Sequence, residues 1–360
     1  MTEQDEKLRR MRALLRETGM AALRLRGIDW FAWATCGGSS RVLLAAETGV
    51  AEVLVTLDGA FVLTDTIEAE RLAAEELSPA WSVVAHPWER PEARERLVRE
   101  RAGSGAIGSD RPSADERPLP AAFVHGRWAL LPEEQERLRS LAVESASVLT
   151  DALSAAEPTW TGYLLSASVH GGLVDQGIDP ALVLVGDAGR LWRWRHPTPA
   201  DRVLGRRAMA VVCARRSGLY ACCTRLISFG APMAEDSAGD TAVLEVEAAA
   251  LDASRPGATL GDVLARLQQA YGRVGRPDAW REHHQGGPTG YLARERVATP
   301  GDEATLQAGC AVAWNPALRG SKSEDTALVQ PDGRIEVLTV DPRWPTVQVG
   351  GRSRPAVWVR

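Results

Sequence analysis

Histidines and charged side chains able to transfer protons or hold a charged ligand concentrate in the second half of the chain. His196 stands alone, whereas His283 and His284 are adjacent, and Lys322 and Glu324 follow them along the sequence. An imidazole with a pKa of about 6.5 can both accept and return a proton near neutral pH. These residue types therefore indicate proton transfer and charge pairing, provided that the fold brings them together.

The five cysteines predict neither a disulfide framework nor a zinc site. They are odd in number, and no C-x-x-C pair occurs. The adjacent Cys222 and Cys223 would point to opposite faces of a strand. Reduced packing residues are the expected state, which is typical of a cytoplasmic protein. The cysteines are Cys36, Cys213, Cys222, Cys223 and Cys310.

Bulk composition predicts a two-domain protein without a nucleic-acid or membrane partner. The chain has 360 residues, more than a single hydrophobic core usually serves. Its net charge of -5 is spread over both signs, with 45% hydrophobic and 25% charged residues. Residues 1–16 are charged and helical in pattern, unlike a signal peptide. We therefore expect a cytoplasmic location.

Periodicity in the first third predicts an α/β domain. Helices are expected over residues 6–18, 65–77 and 91–101, and strands over 41–45, 51–57, 60–63, 81–85 and 105–108. Residues 110–120 hold three prolines and little apolar content, so they are interpreted as the connection to a second domain. The predicted domains are residues 1–130 and 131–360.

The second domain has an α+β pattern around a mostly antiparallel sheet. Helices are expected over residues 132–156, 161–176, 241–253 and 260–274. Strands are expected over 181–185, 208–214, 220–229, 310–315, 325–330 and 335–339.

Four segments of this domain, in the right order, resemble the creatinase, aminopeptidase P and prolidase family. They are residues 191–199 with His196 before Pro197, residues 218–230 (GLYACCTRLISFG), residues 283–295 (HHQGGPTGYLARE) and the hairpin at 309–339. The first domain is similar to the family's amino-terminal domain. The resemblance implies a creatinase-type α/β domain followed by an α+β pita-bread domain, and a homodimer, because family members commonly pair.

The family's peptidases hold two divalent cations with two aspartates, one histidine and two glutamates. By this resemblance the positions fall at Val211, Cys222, Pro288, Asn315 and Glu324, of which only Glu324 is acidic. A single carboxylate cannot neutralise two dications. The resemblance therefore implies no metal, and no other cofactor is expected.

Creatinase is the family's precedent for metal-free hydrolysis. On that resemblance His196 is the general acid/base, His284 stabilises an oxyanion or holds a substrate carboxylate, and Glu324 orients a histidine or binds a positive group. Arg225 and Lys322 are expected to compensate the charge of Glu324. The residues assigned to substrate binding are Arg225, His283, Gln285, Lys322, Asn315 and Cys222.

Structural interpretations compete with these roles. Histidines often serve as hydrogen-bonded structural residues, and Arg225 with Glu324 would form an ion pair left from an ancestral site. Three functions remain open: a metal-independent, creatinase-like hydrolase of a small amide, amidine or amino-acid-derived substrate; a pseudopeptidase that binds a peptide or protein; and a lyase, isomerase or cyclase. Cys222 and Asn315 replace acidic residues of creatinase, so a guanidinium substrate is not supported.

Overall fold

The computed structural model describes residues 1–360, which divide into two compact units, Met1–Arg127 and Trp128–Arg360. Each unit has buried hydrophobic clusters of its own. None of the helices combines the length and the apolar character that crossing a bilayer requires.

The first unit is a six-stranded mixed sheet with helices. Its first helix starts at Thr2, whose hydroxyl accepts from the Asp5 amide, and ends at Gly19 in the left-handed conformation. The sheet order is β4-β3-β2-β1-β5-β6. The elements are α1 (Glu3–Thr18), β1 (Ala22–Gly27), α2 (Ile28–Ala34), β2 (Thr48–Val55), β3 (Ala60–Asp65), α3 (Ala69–Arg71) with a π-helical turn (Leu72–Glu76), β4 (Ser82–His86), α4 (Glu92–Ala102), β5 (Ile107–Ser109), β6 (Glu116–Pro118) and α5 (Ala121–Gly126).

One expected strand is absent from this unit, and one observed strand was not predicted. Residues 41–45 are not a strand, and the apolar Leu43 and Leu44 lie exposed there. The central strand β1 was not predicted, because its two arginines suggest an exposed segment. Arg24 is buried, and its Nε donates to Glu52 Oε1 at 3.0 Å. An ion pair, rather than apolar packing, therefore accounts for the burial of this side chain.

The second unit surrounds a four-stranded sheet in the order β18-β9-β8-β7 and another in the order β10-β11-β14-β15. Its elements are α6 (Pro132–Ala155), α7 (Gly162–Asp175), β7 (Asp179–Asp187), α8 (Ala188–Leu191), β8 (Arg207–Arg216), β9 (Leu219–Ser228), α9 (Ala234–Ala253), α10 (Leu260–Arg273), a 3-10 turn (Ala279–Glu282), β10 (Gly286–Thr289), β11 (Ala311–Trp314), β12 (Ala317–Leu318), β13 (Ser321–Lys322), β14 (Asp325–Val329), β15 (Ile335–Val337), β16 (Thr346–Val349), β17 (Arg352–Pro355) and β18 (Trp358–Val359).

Hydrogen bonds between β9 and β14 join the two sheets. The Cys222 amide donates to Thr326 Oγ1 at 2.7 Å, and the Thr224 amide donates to the Glu324 carbonyl at 2.9 Å. Helices α9 and α10 contribute apolar side chains such as Val246 and Leu267 to the main core of this unit. The candidate residues of β9 and of the segment before β14 are thereby fixed against each other.

Candidate active site

Strand alternation decides which side chains of β9 share a face. Cys222 pairs with Cys213, and Thr224 pairs with Val211, in the antiparallel register of β8 and β9. Successive side chains on a strand point to opposite faces, so Cys222 and Thr224 lie on one face and Arg225 on the other. On the first face Thr224 Oγ1 lies 3.1 Å from Glu324 Oε2.

Arg225 does not compensate Glu324, contrary to the sequence-based expectation. Its Nη2 donates to Asp325 Oδ1 at 2.9 Å and to the Thr339 carbonyl at 2.6 Å. Arg354 also contacts Asp325 at 2.6 Å and Glu247 at 2.6 Å. This network balances two cations with two carboxylates behind the site. With its Nη2 held there and its side chain buried, Arg225 is placed as a structural residue rather than a substrate contact.

Arg294 is the cation that pairs with Glu324, and it was not among the residues predicted from the sequence. Its Nη2 forms an ion pair with Glu324 Oε1, and its Nη1 lies 3.4 Å from Cys222 Sγ. The guanidinium therefore lies between Cys222 and Glu324, two positions that the resemblance aligns with metal ligands. One signal could have identified it: a buried glutamate needs a compensating cation, and residue 294 falls within the HHQGGPTGYLARE segment.

Lys322 brings a second buried cation to the same carboxylate. Its Nζ lies 3.8 Å from Glu324 Oε2, which is beyond hydrogen-bond distance, and its side chain is only 4% exposed. Burial lowers the pKa of Lys322, although Glu324 opposes the shift. Burial alone would raise the pKa of Glu324, but Lys322 and Arg294 hold it below the usual value. Glu324 is thus an ionised anchor for two cations and is not hydrogen-bonded to a histidine.

The three histidines form one cluster, as the resemblance implied for His196 and His284. His196 follows α8, and the other two follow the 3-10 turn before β10. The Nε2 atoms of His283 and His196 are 2.8 Å apart, and the ring centroids of His196 and His284 are 5.9 Å apart. His283 is buried, whereas His196 and His284 each keep an exposed part and are otherwise partly enclosed by the protein.

Glycines hold the loop that carries His283 and His284. Gly286 has φ +97°, and a Cβ on it would lie 2.1 Å from the Ala313 carbonyl oxygen of β11. Only glycine fits a backbone that approaches so closely in that conformation. The Asn315 amide also donates to the Gln285 carbonyl at 3.1 Å, which fixes the loop to the end of β11.

Hydrogen bonding defines the tautomers of the cluster. His283 Nδ1 contacts the His284 carbonyl oxygen, which can only accept, so Nδ1 carries the proton. His283 Nε2 is then an acceptor, and the proton between the two rings belongs to His196 Nε2. The remaining nitrogen, His196 Nδ1, has a free lone pair on an exposed ring.

Burial and the neighbouring cations keep the histidines neutral. Burial, followed by Lys322, lowers the pKa of His283 to about 2 and also lowers the pKa of His196. Burial, followed by Arg294 and Lys322, lowers the pKa of His284 to about 4. Neutral imidazoles can accept protons at neutral pH, so the cluster is suited to a general base.

We expect acid to destabilise the protein through this cluster. Between pH about 4 and about 6.5 the unfolded chain binds protons that the folded histidines do not, so the free energy of unfolding falls as the pH is lowered through that range. Urea unfolding at about pH 7 and about pH 5 measures the loss. His283→Asn should reduce the loss and His170→Asn, outside the cluster, should not. An unchanged loss in His283→Asn would contradict the assignment.

The remaining predicted binding residues are buried. Gln285 is satisfied internally, because its Oε1 accepts from Tyr271 at 3.0 Å and its Nε2 donates to the His283 carbonyl at 2.6 Å. Asn315 is also buried, and its Oδ1 has no hydrogen-bond partner. Cys222 is fully buried, and a hydrogen bond with Cys213 helped by Arg294 lowers its pKa. None of the three is placed as an exposed substrate contact.

The donor set does not fit a pair of divalent cations. Val211 offers no donor, Asn315 offers no charge, and Glu324 is already paired with Arg294. Pro288 pairs with Val312 of the main core, so Gly287, opposite Ala313, occupies the other face of β10. Neither residue can replace a ligand histidine. The nitrogens of the three histidines lie within 4.8 Å of one another and could reach one cation, which would be a different site from the family's metal pair.

Comparisons with known proteins agree with this architecture. The sequence model for metallopeptidase family M24 matches residues 136–331. No curated protein sequence matches the chain significantly. The structure is similar to the dipeptidase PepE from Mycobacterium ulcerans, with a TM-score of 0.77 and 18% identity over 99% of this chain and 97% of that chain. It is also similar to the X-Pro aminopeptidase from Thermotoga maritima MSB8, with a TM-score of 0.78 and 17% identity over 98% of this chain and 99% of that one.

A third similar structure is the N-terminal domain of the FACT complex subunit SPT16 from Cicer arietinum, with a TM-score of 0.71 and 13% identity over 94% of this chain and 96% of that chain. At these identities the likeness shows the fold alone. The predicted α/β domain followed by a pita-bread domain is confirmed.

Proposed function

This chain belongs to metallopeptidase family M24, and from that premise we propose that it is a metal-independent hydrolase of a small amide or amino-acid-derived substrate. His196 is the general base. It takes a proton from water through Nδ1, and the water attacks the substrate carbonyl. The protonated imidazole then gives this proton to the amide nitrogen as the carbon–nitrogen bond breaks, which releases a carboxylic acid and an amine. His284, a neutral donor at the same surface, stabilises the oxyanion.

One observation supports this proposal most strongly, namely the hydrogen bond between the rings of His196 and His283. It fixes the orientation of His196 and leaves Nδ1 as a lone-pair acceptor on an exposed side chain. A buried orienting partner is what a general base needs in order to act in a defined direction. The cations beside Glu324 occupy the region of the family's ligand positions and leave the proton chemistry to the histidines.

The pairing of Glu324 with Arg294 also favours a second candidate, a pseudopeptidase that binds a peptide-like ligand without chemistry. The one carboxylate retained from the family's ligand set is held by two internal cations and is not available as a base. A lyase, isomerase or cyclase would use the same histidines but would not add water to the substrate.

Chelator-treated protein should hydrolyse at least one member of a panel of dipeptides and N-acylamino acids at an unchanged rate. The physical reason is that the proposed base and oxyanion donor are imidazoles rather than metal-bound water. Released amine measures turnover, and product masses show whether water has been added. Activity that appears only after adding Mn²⁺, Co²⁺ or Zn²⁺ would refute the proposal. Equilibrium binding without turnover would favour the pseudopeptidase.

We also propose a cytoplasmic homodimer. All five cysteines are free, which is compatible with a reducing compartment. The homodimer is proposed from the family resemblance alone, and the sedimentation coefficient of the purified protein tests it.

A further inference from the structure

We propose that His196, His283 and His284 together bind one divalent transition-metal ion, with Zn²⁺ as the best fit, and that this ion inhibits the hydrolase. The metal site stands independently of the proposed function, whereas the inhibition rests on it, because it requires His196 to be the general base. The site is distinct from the metal pair of the family, since none of the three histidines falls at a position that the resemblance aligns with a ligand.

The nitrogens of the three rings are close enough to share one ion. One nitrogen from each histidine lies within 4.8 Å of the other two, and the Nε2 atoms of His196 and His283 are 2.8 Å apart. Tetrahedral zinc with Zn–N distances of about 2.0–2.1 Å requires its nitrogen ligands to be about 3.3 Å apart. Small rotations of the side chains therefore bring all three nitrogens within bonding distance of one ion.

His283 already has the surroundings of a metal ligand. Its side chain is buried, its Nδ1 donates to the His284 carbonyl oxygen, and its Nε2 faces His196. A ligand histidine typically donates its other ring N–H to a carbonyl or a carboxylate, which fixes the tautomer and the orientation of the ring. The Nε2 lone pair of His283 is thus directed at the place where an ion would lie.

Backbone hydrogen bonds fix both segments that contribute the ligands. The Val185 amide of β7 donates to the Pro197 carbonyl at 3.1 Å, next to His196. The Asn315 amide donates to the Gln285 carbonyl at 3.1 Å, next to His284. Such preorganisation reduces the entropy that is lost when a ligand binds.

Protons do not compete with the ion at neutral pH. Burial lowers the pKa of His283 to about 2 and that of His284 to about 4, so both rings are neutral. A histidine must be neutral to bind a metal ion.

The donor set selects the class of metal. Imidazole suits Zn²⁺, Cu²⁺ and Ni²⁺, whereas Mg²⁺, Ca²⁺ and Mn²⁺ prefer carboxylate, carbonyl and water oxygens. Three imidazoles with a fourth position for water form a known tetrahedral zinc arrangement. We therefore expect Zn²⁺ to bind and Mn²⁺ to bind far more weakly.

Inhibition follows from the tautomer of His196. In the metal-free cluster its Nε2 donates to His283 and its Nδ1 has the lone pair that accepts a proton from water. An ion bound at Nε2 needs the lone pair of that atom, so the proton of the neutral ring moves to Nδ1. Nδ1 then carries a hydrogen and cannot act as the base.

Co²⁺ is the spectroscopic probe for this site. Titration of chelator-treated, desalted protein should give the visible d–d bands of a tetrahedral complex, saturating at one ion per chain. Zn²⁺ should remove these bands, and the same concentration of Mn²⁺ should not. A sulfur-to-cobalt charge-transfer band should be absent, because the five free cysteines are not ligands.

Two variants and a control locate the ion. His196→Asn and His283→Asn should each weaken Co²⁺ binding at least about tenfold, because losing even an outer-shell partner of a ligand typically costs 10–100-fold in affinity. His170→Asn, on α7, should bind as tightly as the unmodified protein. Urea unfolding shows that the variants are folded. Unchanged affinity in folded His196→Asn, a sulfur charge-transfer band or equal competition by Mn²⁺ would overturn the proposed site.

Turnover measured with and without Zn²⁺ separates this inference from the proposed function. Saturating Zn²⁺ should abolish hydrolysis, and a chelator should restore it. Metal binding with unaffected turnover would refute His196 as the base, and turnover that requires Zn²⁺ would refute both the inhibition and the metal-independent hydrolase; the metal site stands in both cases. Chelator-resistant turnover without any Co²⁺ or Zn²⁺ binding would refute the metal site and leave the hydrolase intact.

Discussion

Replacing His196 with asparagine should lower turnover by the chelator-treated protein about 10²–10⁴-fold, the usual contribution of a positioned acid/base group. The loss should fall on kcat, because asparagine can still donate to His283 Nε2 from its amide but has no basic nitrogen to replace Nδ1. His196 lies on an exposed surface of the cluster, so the free energy of unfolding should change little. Steady-state kinetics and urea unfolding of the same preparation measure both effects.

His170→Asn is the matched control. His170 lies on α7 in the same unit, and its Nδ1 contacts the Ser166 carbonyl at 2.8 Å, outside the cluster. Its substitution should leave kcat and KM unchanged. If His196→Asn retains more than a tenth of the turnover of the unmodified protein, His196 is not the general base.

Replacing Glu324 with glutamine should lower the free energy of unfolding by about 3–5 kcal/mol, the cost of removing one partner from a buried ion pair. Glutamine keeps the size of the side chain and its contact with Thr224, but it leaves the cations of Arg294 and Lys322 without a carboxylate. At high pH Lys322, whose pKa is already lowered, can lose its proton. This loss limits the free-energy cost of the substitution. The destabilisation should therefore be larger at pH 6 than at pH 9, as urea unfolding at the two pH values measures.

A second variant and a control make this prediction specific. The double variant Glu324→Leu/Arg294→Met should be destabilised by less than the sum of the single variants Glu324→Leu and Arg294→Met, giving a coupling energy of about 1–3 kcal/mol in a double-mutant cycle. Glu336→Gln removes a charge from the half-exposed pair with Arg139 and should cost less than about 1 kcal/mol. Equal effects of Glu324→Gln and Glu336→Gln would contradict the role of Glu324 as an anchor for two cations.

Periodicity predicted the long helices well, because their apolar spacing is regular and their ends are marked. Helix α10 was expected over residues 260–274 and spans Leu260–Arg273, with Thr259 as its N-cap. Strand β1 was not predicted, although its leucines and arginines alternate, because the alternation is short and the arginines suggest an exposed segment, whereas Arg24 is buried. Their carboxylate partners, such as Glu52 and Glu116, come from distant parts of the chain, which no local window can detect.

The geometry of the candidate site followed only in part from the sequence, because some of its contacts also join distant parts of the chain. The histidines and Glu324 were found through motif order, which the sequence displays directly. The partner of Glu324 was assigned to Arg225 because both belong to family motifs, but strand alternation turns Arg225 toward Asp325. Arg294 comes from a different loop, and only the three-dimensional arrangement places its guanidinium between Glu324 and Cys222.

The guanidinium beside Glu324 has a further consequence for how such a protein behaves in a cell. Metal ions must be acquired after synthesis, and different ions compete for the same ligands. Enzymes that depend on them therefore lose activity when the ion is scarce or when a different ion occupies the site. Arg294 is synthesised with the chain and cannot be exchanged. The charge that pairs with Glu324 is therefore a covalent part of the chain rather than an exchangeable ion.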